Sequence, residues 1–145
     1  MYMAEREFEV LAEARTKHLA WRIASGLKHL HEKRVIHRDL KPENILLTHL
    51  SENSDPIIGD FGHSTILKDG ELETKLCGTR GYVAPEILQC KPYSLPVDIW
   101  SFGIMLYALV EGEFPFPELI LKLSRKNAQE YANIVKGIEL KFKGK

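Results

Sequence analysis

The sequence lacks the features that would assign it to a secreted or membrane-bound class. Among its 145 residues are only two cysteines, Cys77 and Cys90, which form neither a CxxC motif nor a disulfide framework and fit a reducing, intracellular setting. The longest strongly apolar run, Phe102–Val110, is too short to span a bilayer. Met1–Phe8 carries charges without an apolar core, so it is not a signal peptide. We therefore expect a cytoplasmic protein, or a nuclear one.

The sequence also lacks an excess of charge of either sign. Lysine and arginine together number 20, aspartate and glutamate also number 20, and the formal net charge is therefore zero. This balance argues against nucleic acid and against a membrane surface as partners. Hydrophobic residues make up 44% of the chain, which is enough for a packed core in one domain or a large part of one.

The chain is organised around the polar string HRDLKPEN at His37–Asn44. Asp39 can accept a proton from an attacking hydroxyl, Lys41 can neutralise phosphoryl charge, and Asn44 can offer its carbonyl oxygen to Mg²⁺. Pro42 stiffens the loop that carries them. The alternative interpretation is a solvated turn that happens to be rich in charge.

Flanking patterns predict a mainly α-helical fold with one short β-hairpin. Apolar residues at three- and four-residue spacing predict a helix from Leu11 to about Lys33. Ile45–Leu47 is predicted as a buried strand, Thr48–Pro56 as a surface turn, and Ile57–Ile58 as the returning strand. This hairpin would set Asn44 near one end and the Asp60-Phe61-Gly62 string near the other, where both could bind one Mg²⁺.

The second half of the chain is predicted as a loop followed by a buried helix. His63–Leu76 has few apolar anchors, so we expect a mobile surface loop. Val97–Val110 is apolar nearly all round, which predicts a helix buried in the domain, with Asp98 needing hydrogen-bond donors unless it lies at an exposed start. Further expectations are Ser94 as its cap, Pro96 at its first position, Gly112 at its end, a stiff turn at Phe114–Pro117, a short helix at Glu118–Lys126, and a last helix through Ala128, Tyr131, Val135 and Ile138.

Taken together, HRDLKPEN, DFG, GTRGY and APE resemble the C-terminal lobe of a eukaryotic-type serine/threonine protein kinase. The resemblance runs from about Leu11 to Ile138. It implies an incomplete α+β kinase fold, with residues 1–145 forming one partial domain whose N-terminal lobe and final helices are absent. The GTRGYVAPEIL string and the long Thr48–Pro56 turn are most similar to the calcium/calmodulin-dependent kinase group.

The resemblance implies a set of catalytic and nucleotide-binding residues. Asp39 would be the catalytic base, Lys41 would steady the transferred phosphoryl group, and Asn44 and Asp60 would hold Mg²⁺ on the phosphates of ATP. Leu46 would lie under the adenine ring, although an ordinary core position is an equally good interpretation. The implied partners are protein substrates with serine or threonine acceptors.

Other positions acquire structural or regulatory roles from the same resemblance. Thr79 would link Asp39 to Lys41, and Asp98 would hydrogen-bond the backbone of the HRD loop. Glu86 would pair with an arginine that this sequence does not contain at the matching place. Glu43 could attract a basic residue near the substrate's acceptor.

A phosphate-binding role is implied for Arg38. It would form a pocket for a phosphate on the His63–Leu76 loop, with Thr74 as the favoured acceptor and Ser64 and Thr65 as weaker candidates. The sequence departs from the family pattern here, because Lys75 stands where the phosphorylated threonine is usually found.

Several parts of a kinase site are not found in the sequence. It contains no GxGxxG string and no lysine in a VAIK-type strand, so we expect little phosphotransfer from residues 1–145 alone. Two alternatives are a non-catalytic scaffold that docks partners through the last helix and the Phe114–Pro117 turn, and a small-molecule phosphotransferase. The GTRGYVAPE string, which fits a peptide-positioning segment, argues against the latter.

Overall fold

The computed structural model describes residues 11–49, 51, 54–116, 130, 133 and 135. Between Glu13 and Glu111 the described residues form three helices and two small antiparallel sheets, which confirms the predicted mainly helical fold. In chain order the elements are α1 (Glu13–Glu32), β1 (Val35–Ile36), a 3-10 turn (Pro42–Asn44), β2 (Ile45–Leu47), β3 (Pro56–Ile58), a 3-10 turn (Phe61–His63), β4 (Thr65–Ile66), α2 (Pro85–Leu88) and α3 (Pro96–Glu111).

Helix α1 buries one apolar stripe against α3 and β3. Leu19, Ile23 and Leu27 are all at most 7% exposed, which confirms the predicted period. Gly26 lies where the helix passes β3, and a Cβ there would stand 3.3 Å from Cδ1 of Ile58. The glycine therefore permits close approach of the helix to the strand.

Helix α3 begins at Pro96 and is terminated after Glu111 by Gly112, whose φ of 78° is left-handed, as predicted. The predicted cap at Ser94 is wrong: Leu95 is the N-cap residue and no side chain caps the helix. Burial all round is also wrong, since Ile99 is 54% exposed. The reason is geometric, because the described elements cover only the face of α3 that carries Val97, Ile104, Met105 and Ala108.

Strands β2 and β3 form the predicted hairpin, with Ile45 opposite Ile58 and Leu47 opposite Pro56. The predicted burial of β2 is wrong. Leu46 and Leu47 are 57% and 47% exposed, because the hairpin packs against α1 on one side only. The hairpin thus presents an apolar face on its other side.

Strands β1 and β4 pair Val35 with Ile66 and Ile36 with Thr65, and sequence reasoning did not anticipate this sheet. It ties the start of the predicted His63–Leu76 loop to the chain just before the HRDLKPEN string. Leu67 of this loop is only 4% exposed and packs in the core with Ile36 and Val83. The mobility of the loop stays a prediction. Backbone pairing supplied anchors that an apolar count could not reveal.

The remaining predictions divide by position. Phe114 and Phe116 are 5% and 7% exposed and belong to the core with Tyr82. The predicted helix at Glu118–Lys126 lies outside the described residues, as do Ala128, Tyr131 and Ile138. Residues 130, 133 and 135 are helical. None of the described helices has the length and apolar character needed to cross a membrane.

Candidate active site

The HRDLKPEN loop is anchored from below by α3. Asp98 is fully buried, and its two carboxylate oxygens accept hydrogen bonds from the backbone N–H groups of His37 and Arg38, at 2.9 and 2.8 Å. The imidazole Nε2 of His31 lies 3.0 Å from the same carboxylate. Asp98 therefore has the donors that a buried carboxylate requires, and they fix the backbone beside Asp39.

His37 joins this loop to the segment that carries Asp60. Its fully buried ring places Nε2 2.9 Å from the carbonyl oxygen of Gly59 and packs edge-on against Phe61, with ring centroids 5.3 Å apart. Sequence reasoning did not single out His37. Its place directly before Arg38 and Asp39 was the available signal, but which neighbours it contacts depends on the tertiary fold.

Asp39 is held at the centre of the site. It is 4% exposed, and its Oδ2 lies 3.0 Å from Nζ of Lys41 and 3.5 Å from Nδ1 of His63. Its other oxygen, Oδ1, is buried and has no hydrogen-bond partner among the residues that the structure describes. Burial works against the carboxylate, but the neighbouring hydroxyl of Thr79 and the charge of Lys41 outweigh it and lower the pKa of Asp39.

Lys41 and Thr79 meet at this carboxylate. Nζ of Lys41 donates a 2.6 Å hydrogen bond to Oγ1 of Thr79. Thr79 is brought to the loop by Gly78, whose φ is 98° and whose added Cβ would stand 2.7 Å from the carbonyl oxygen of Arg38. Only glycine fits that contact, so the GTRGY string is pressed onto the backbone beside Asp39.

Asn44 and Asp60 present oxygen atoms of the kind that Mg²⁺ prefers. The Asn44 amide nitrogen donates to the backbone oxygen of Asp39 at 2.8 Å, which leaves the amide oxygen for a ligand. Asp60 is exposed, has a left-handed φ of 53°, and accepts a 3.1 Å bond from the N–H of Gly62 on Oδ1. Exposed Leu46 follows two residues after Asn44.

These donors fit Mg²⁺ that is shared with a nucleotide. Within the described residues no group of three or more His, Cys, Asp or Glu side chains could hold a metal alone. Mg²⁺ usually keeps waters and takes only one or two protein oxygens beside substrate phosphates, so a pair such as Asn44 and Asp60 suits it.

Arg38 binds the His63–Leu76 loop instead of facing solvent. Its Nε donates to the carbonyl oxygen of His63, its Nη2 donates to that of Ser64 at 3.3 Å, and its Nη1 lies 2.6 Å from Oε2 of Glu73. The same Nη1 is 3.4 Å from the hydroxyl of Tyr93. Sequence reasoning missed Glu73 and Tyr93, and only the approach of three chain segments brings them together.

The predicted acceptor Thr74 is exposed, and its backbone N–H donates to Oε1 of Glu73 at 2.8 Å. Its phosphorylation stays a prediction. Glu86 lines a groove of about 410 Å³ with Trp100, whose indole nitrogen is buried without a partner among the described residues. Glu43 is exposed at the rim of the HRDLKPEN loop.

The sequence is similar to a family model and to several known proteins. The family model described as the protein kinase domain matches residues 2–144. Over 135 residues, 93% of the chain, the sequence is 38% identical to serine/threonine-protein kinase ATG1c of Arabidopsis thaliana. It is 46% identical over 106 residues, 73% of the chain, to inhibitor of nuclear factor kappa-B kinase subunit alpha of Xenopus tropicalis.

A third relative is calcium/calmodulin-dependent protein kinase type 1 of Caenorhabditis briggsae, 41% identical over 125 residues, 86% of the chain. The matched parts cover 18% of the plant protein, 14% of the frog protein and 33% of the nematode protein. The chain thus spans a third or less of the length of each of these relatives.

Proposed function

Because the chain belongs to the protein kinase domain family, we propose that it carries the phosphotransfer residues of a serine/threonine protein kinase. The reaction moves the γ-phosphate of ATP to a serine or threonine hydroxyl of a protein substrate. The observation that carries the proposal is Asp39, a buried carboxylate with one oxygen held by Lys41 and the other without a partner among the described residues.

Asp39 acts as the base. Its lowered pKa keeps the carboxylate ionised at neutral pH, so Oδ1 can accept a hydrogen bond from the substrate hydroxyl and take its proton. The contacts of Oδ2 to Lys41 and to the amide nitrogen of Asn44, at 3.0 and 3.3 Å, hold the other end of the carboxylate. Orientation of the attacking oxygen is therefore built into the loop.

Lys41 provides positive charge beside the base. Its ammonium lies between Asp39 and Thr79, at the place where a phosphoryl group must pass to reach a hydroxyl bound to Asp39. A cation held there lowers the cost of the negative charge on the transferred group. The hydroxyl of Thr79 fixes the direction of the flexible lysine side chain.

Asn44 and Asp60 would hold Mg²⁺ through their side-chain oxygens, and exposed Leu46 would provide an apolar contact for the adenine ring. When bound, Mg²⁺ neutralises charge on the nucleotide phosphates. His37 contributes by holding Gly59, the residue before Asp60, next to the catalytic loop.

The substrate preference is a further part of the proposal. Exposed Glu43 beside the catalytic loop would favour a peptide with a basic residue near its acceptor. We also propose a cytoplasmic or nuclear location, because the two cysteines of the sequence form no disulfide framework. We also propose that residues 1–145 tested alone transfer little phosphate, since their sequence has no GxGxxG phosphate loop.

In the scaffold alternative, the turn at Phe114–Pro117 forms part of the docking face. Phe114 and Phe116 are buried in the core, whereas Pro115 lines the groove with Glu86 and Trp100.

The proposal is tested by Asp39→Asn in the full-length polypeptide that carries residues 1–145. We expect a loss of about 100-fold or more in kcat for transfer of labelled γ-phosphate to serine and threonine peptides, because general base catalysis is removed. Lys17→Ala, on a side chain that is 75% exposed on α1, serves as the control and should leave kcat unchanged. Equal activity of Asp39→Asn and Lys17→Ala would contradict the proposal.

A further inference from the structure

We propose that Glu73 is a positioning residue whose carboxylate occupies the phosphate-binding pocket predicted at Arg38. The loop at 63–76 is thereby held against the catalytic loop without a phosphate on Thr74. The consequence for catalysis depends on the proposed function, whereas the consequence for the order of the loop does not. Residues 63–76 form the 63–76 segment.

The guanidinium of Arg38 contacts this segment through all three of its nitrogens. Each of its three nitrogens has an acceptor there: the carbonyl oxygens of His63 and Ser64 and the carboxylate of Glu73. Arg38 is 6% exposed and its φ of 67° turns the backbone so that the side chain reaches the segment. A phosphate that approached Arg38 would find the guanidinium already bound to the carboxylate of Glu73.

Glu73 makes the contacts through which an acidic group can order a segment. Oε2 binds Arg38, while Oε1 accepts from the backbone N–H groups of Thr74 and Lys75 at 2.8 and 3.0 Å. Charge-assisted hydrogen bonds of this kind are the strong ones, and they are the bonds by which a phosphate orders a loop. The hydrogen bonds from Lys75 and Thr74, together with Arg38, lower the pKa of Glu73, which keeps it ionised at neutral pH.

The backbone of Glu73 is anchored independently of its carboxylate. Its N–H and carbonyl exchange two 2.9 Å hydrogen bonds with Tyr93, in an isolated antiparallel bridge. The hydroxyl of Tyr93 donates to the carbonyl oxygen of Lys75 at 2.6 Å. Burial raises the pKa of Tyr93 to about 12, so that hydroxyl stays protonated and remains a donor. The carboxylate is therefore delivered to Arg38 by a preformed bridge.

Thr74 is placed unfavourably for the same task. It is exposed, and its backbone N–H already donates to Glu73. A phosphate on Thr74 would add about two negative charges directly beside that carboxylate, and the two groups would compete for Arg38. Modification of Thr74 would have to displace Glu73 before it could reproduce the contact.

The link to catalysis runs through one residue. Arg38 directly precedes Asp39, and its backbone N–H is held by Asp98 while its side chain is held by Glu73. Without the carboxylate, a nearly buried guanidinium loses its counter-charge and the 63–76 segment loses its tie to the loop. Glu73 touches neither Asp39 nor the predicted metal ligands, so it acts on the reaction only through position.

The first test measures order directly, by limited trypsin digestion of the 145-residue chain at Lys68 and Lys75. We expect Glu73→Gln to be cleaved about ten-fold faster than the wild type, because cleavage follows the population of the open segment. Glu71→Gln is the matched control for cleavage at Lys75, since Glu71 lies in the same segment and its carboxylate accepts from the backbone N–H of Lys68, whereas that of Lys75 donates to Glu73. Thr74→Ala should be cleaved like the wild type.

The second test measures kcat and KM of unphosphorylated full-length protein. Glu73→Gln should lower kcat about ten-fold with the KM for ATP unchanged, because the nucleotide ligands are untouched and only loop position is lost. Glu73→Asp, which keeps the charge but is shorter, should restore part of kcat. If Glu73→Gln does not fold, Glu73→Asp takes its place in the trypsin digestion. We expect Glu73→Asp to be cleaved faster than the wild type but less than ten-fold faster.

Two results would overturn the inference: Glu73 variants cleaved no faster than Glu71→Gln, or activity that depends on phosphate at Thr74 and disappears in Thr74→Ala. If Asp39→Asn shows that the proposed function is wrong while Glu73→Gln still opens the segment, the positioning role stands and the catalytic one falls. The digestion therefore separates the two failures.

Discussion

The HRDLKPEN loop at 37–44 and the 63–76 segment meet where the side chain of Arg38 contacts the segment, but they are held by different means. The HRDLKPEN loop is held by a fully buried carboxylate, Asp98, through backbone N–H groups. The 63–76 segment is held to the loop through its own residue Glu73, whose side chain is 22% exposed. Buried hydrogen bonds cost most to break, so we expect the HRDLKPEN loop to open only when the whole domain unfolds. The 63–76 segment should open locally at a lower free energy.

The largest effect is expected where the HRDLKPEN loop is anchored to Asp98. Asp98→Ala would leave the backbone N–H groups of His37 and Arg38 buried without an acceptor, at a cost of about 3 kcal/mol or more in the free energy of unfolding. Asp69→Ala, on a fully exposed side chain, is the control and should be neutral. Denaturant unfolding measures both variants, and a loss below about 1 kcal/mol for Asp98→Ala would remove the basis of the comparison.

The next effect concerns Gly78, where the chain that follows the 63–76 segment touches the backbone of Arg38. Gly78→Ala would set a Cβ 2.7 Å from the carbonyl oxygen of Arg38 at a φ of 98°, so backbone strain and a clash add together. Gly70→Ala, at a φ of 74° with nothing within 4 Å, isolates the strain alone. We expect a cost of about 1 kcal/mol at Gly70 and clearly more at Gly78, measured by thermal unfolding. Equal losses of stability in Gly70→Ala and Gly78→Ala would mean that the contact between Gly78 and Arg38 does not constrain the backbone there.

The smallest effect is the response of the outer region to acid. The pKa of Glu73 is lowered in the folded chain, so its contribution is present above the ordinary value of 4.5 and is lost as the pH falls through the lower folded value. The backbone amide signals of Thr74 and Lys75 in NMR spectra should therefore titrate with a midpoint below 4.5, and they should not titrate in Glu73→Gln. A midpoint at or above that value would show that the carboxylate is not held as described.

Local patterns predicted the parts of the site that depend on neighbours in sequence. The string at His37–Asn44 carries Asp39, Lys41 and Asn44 within one loop. Because Asp98 is a carboxylate within an apolar helix, the sequence also predicted that it needs hydrogen-bond donors. The hairpin and the end of α3 at Gly112 followed from turn and cap chemistry.

The errors share a physical origin. The strand Ile45–Leu47 is predicted to be buried because its residues are apolar, but burial depends on what lies on each side of a strand. Ser94 was assigned as a cap by residue type, whereas the backbone begins the helix one residue later. The mobility predicted for the 63–76 segment stays a prediction, and the structure adds hydrogen bonds from Arg38 to the segment.

By itself, the sequence determined the chemistry: which acids, cations and amides exist, and which of them share a loop. Only the tertiary structure decided their partners. Arg38 and Glu73 are 35 residues apart, and His37 reaches Gly59 across 22 residues. No periodicity or motif encodes such a contact, because it forms only when α3, the two small sheets and Tyr93 bring separate segments together. That placement turned a predicted phosphate pocket into a site already occupied by the chain's own carboxylate.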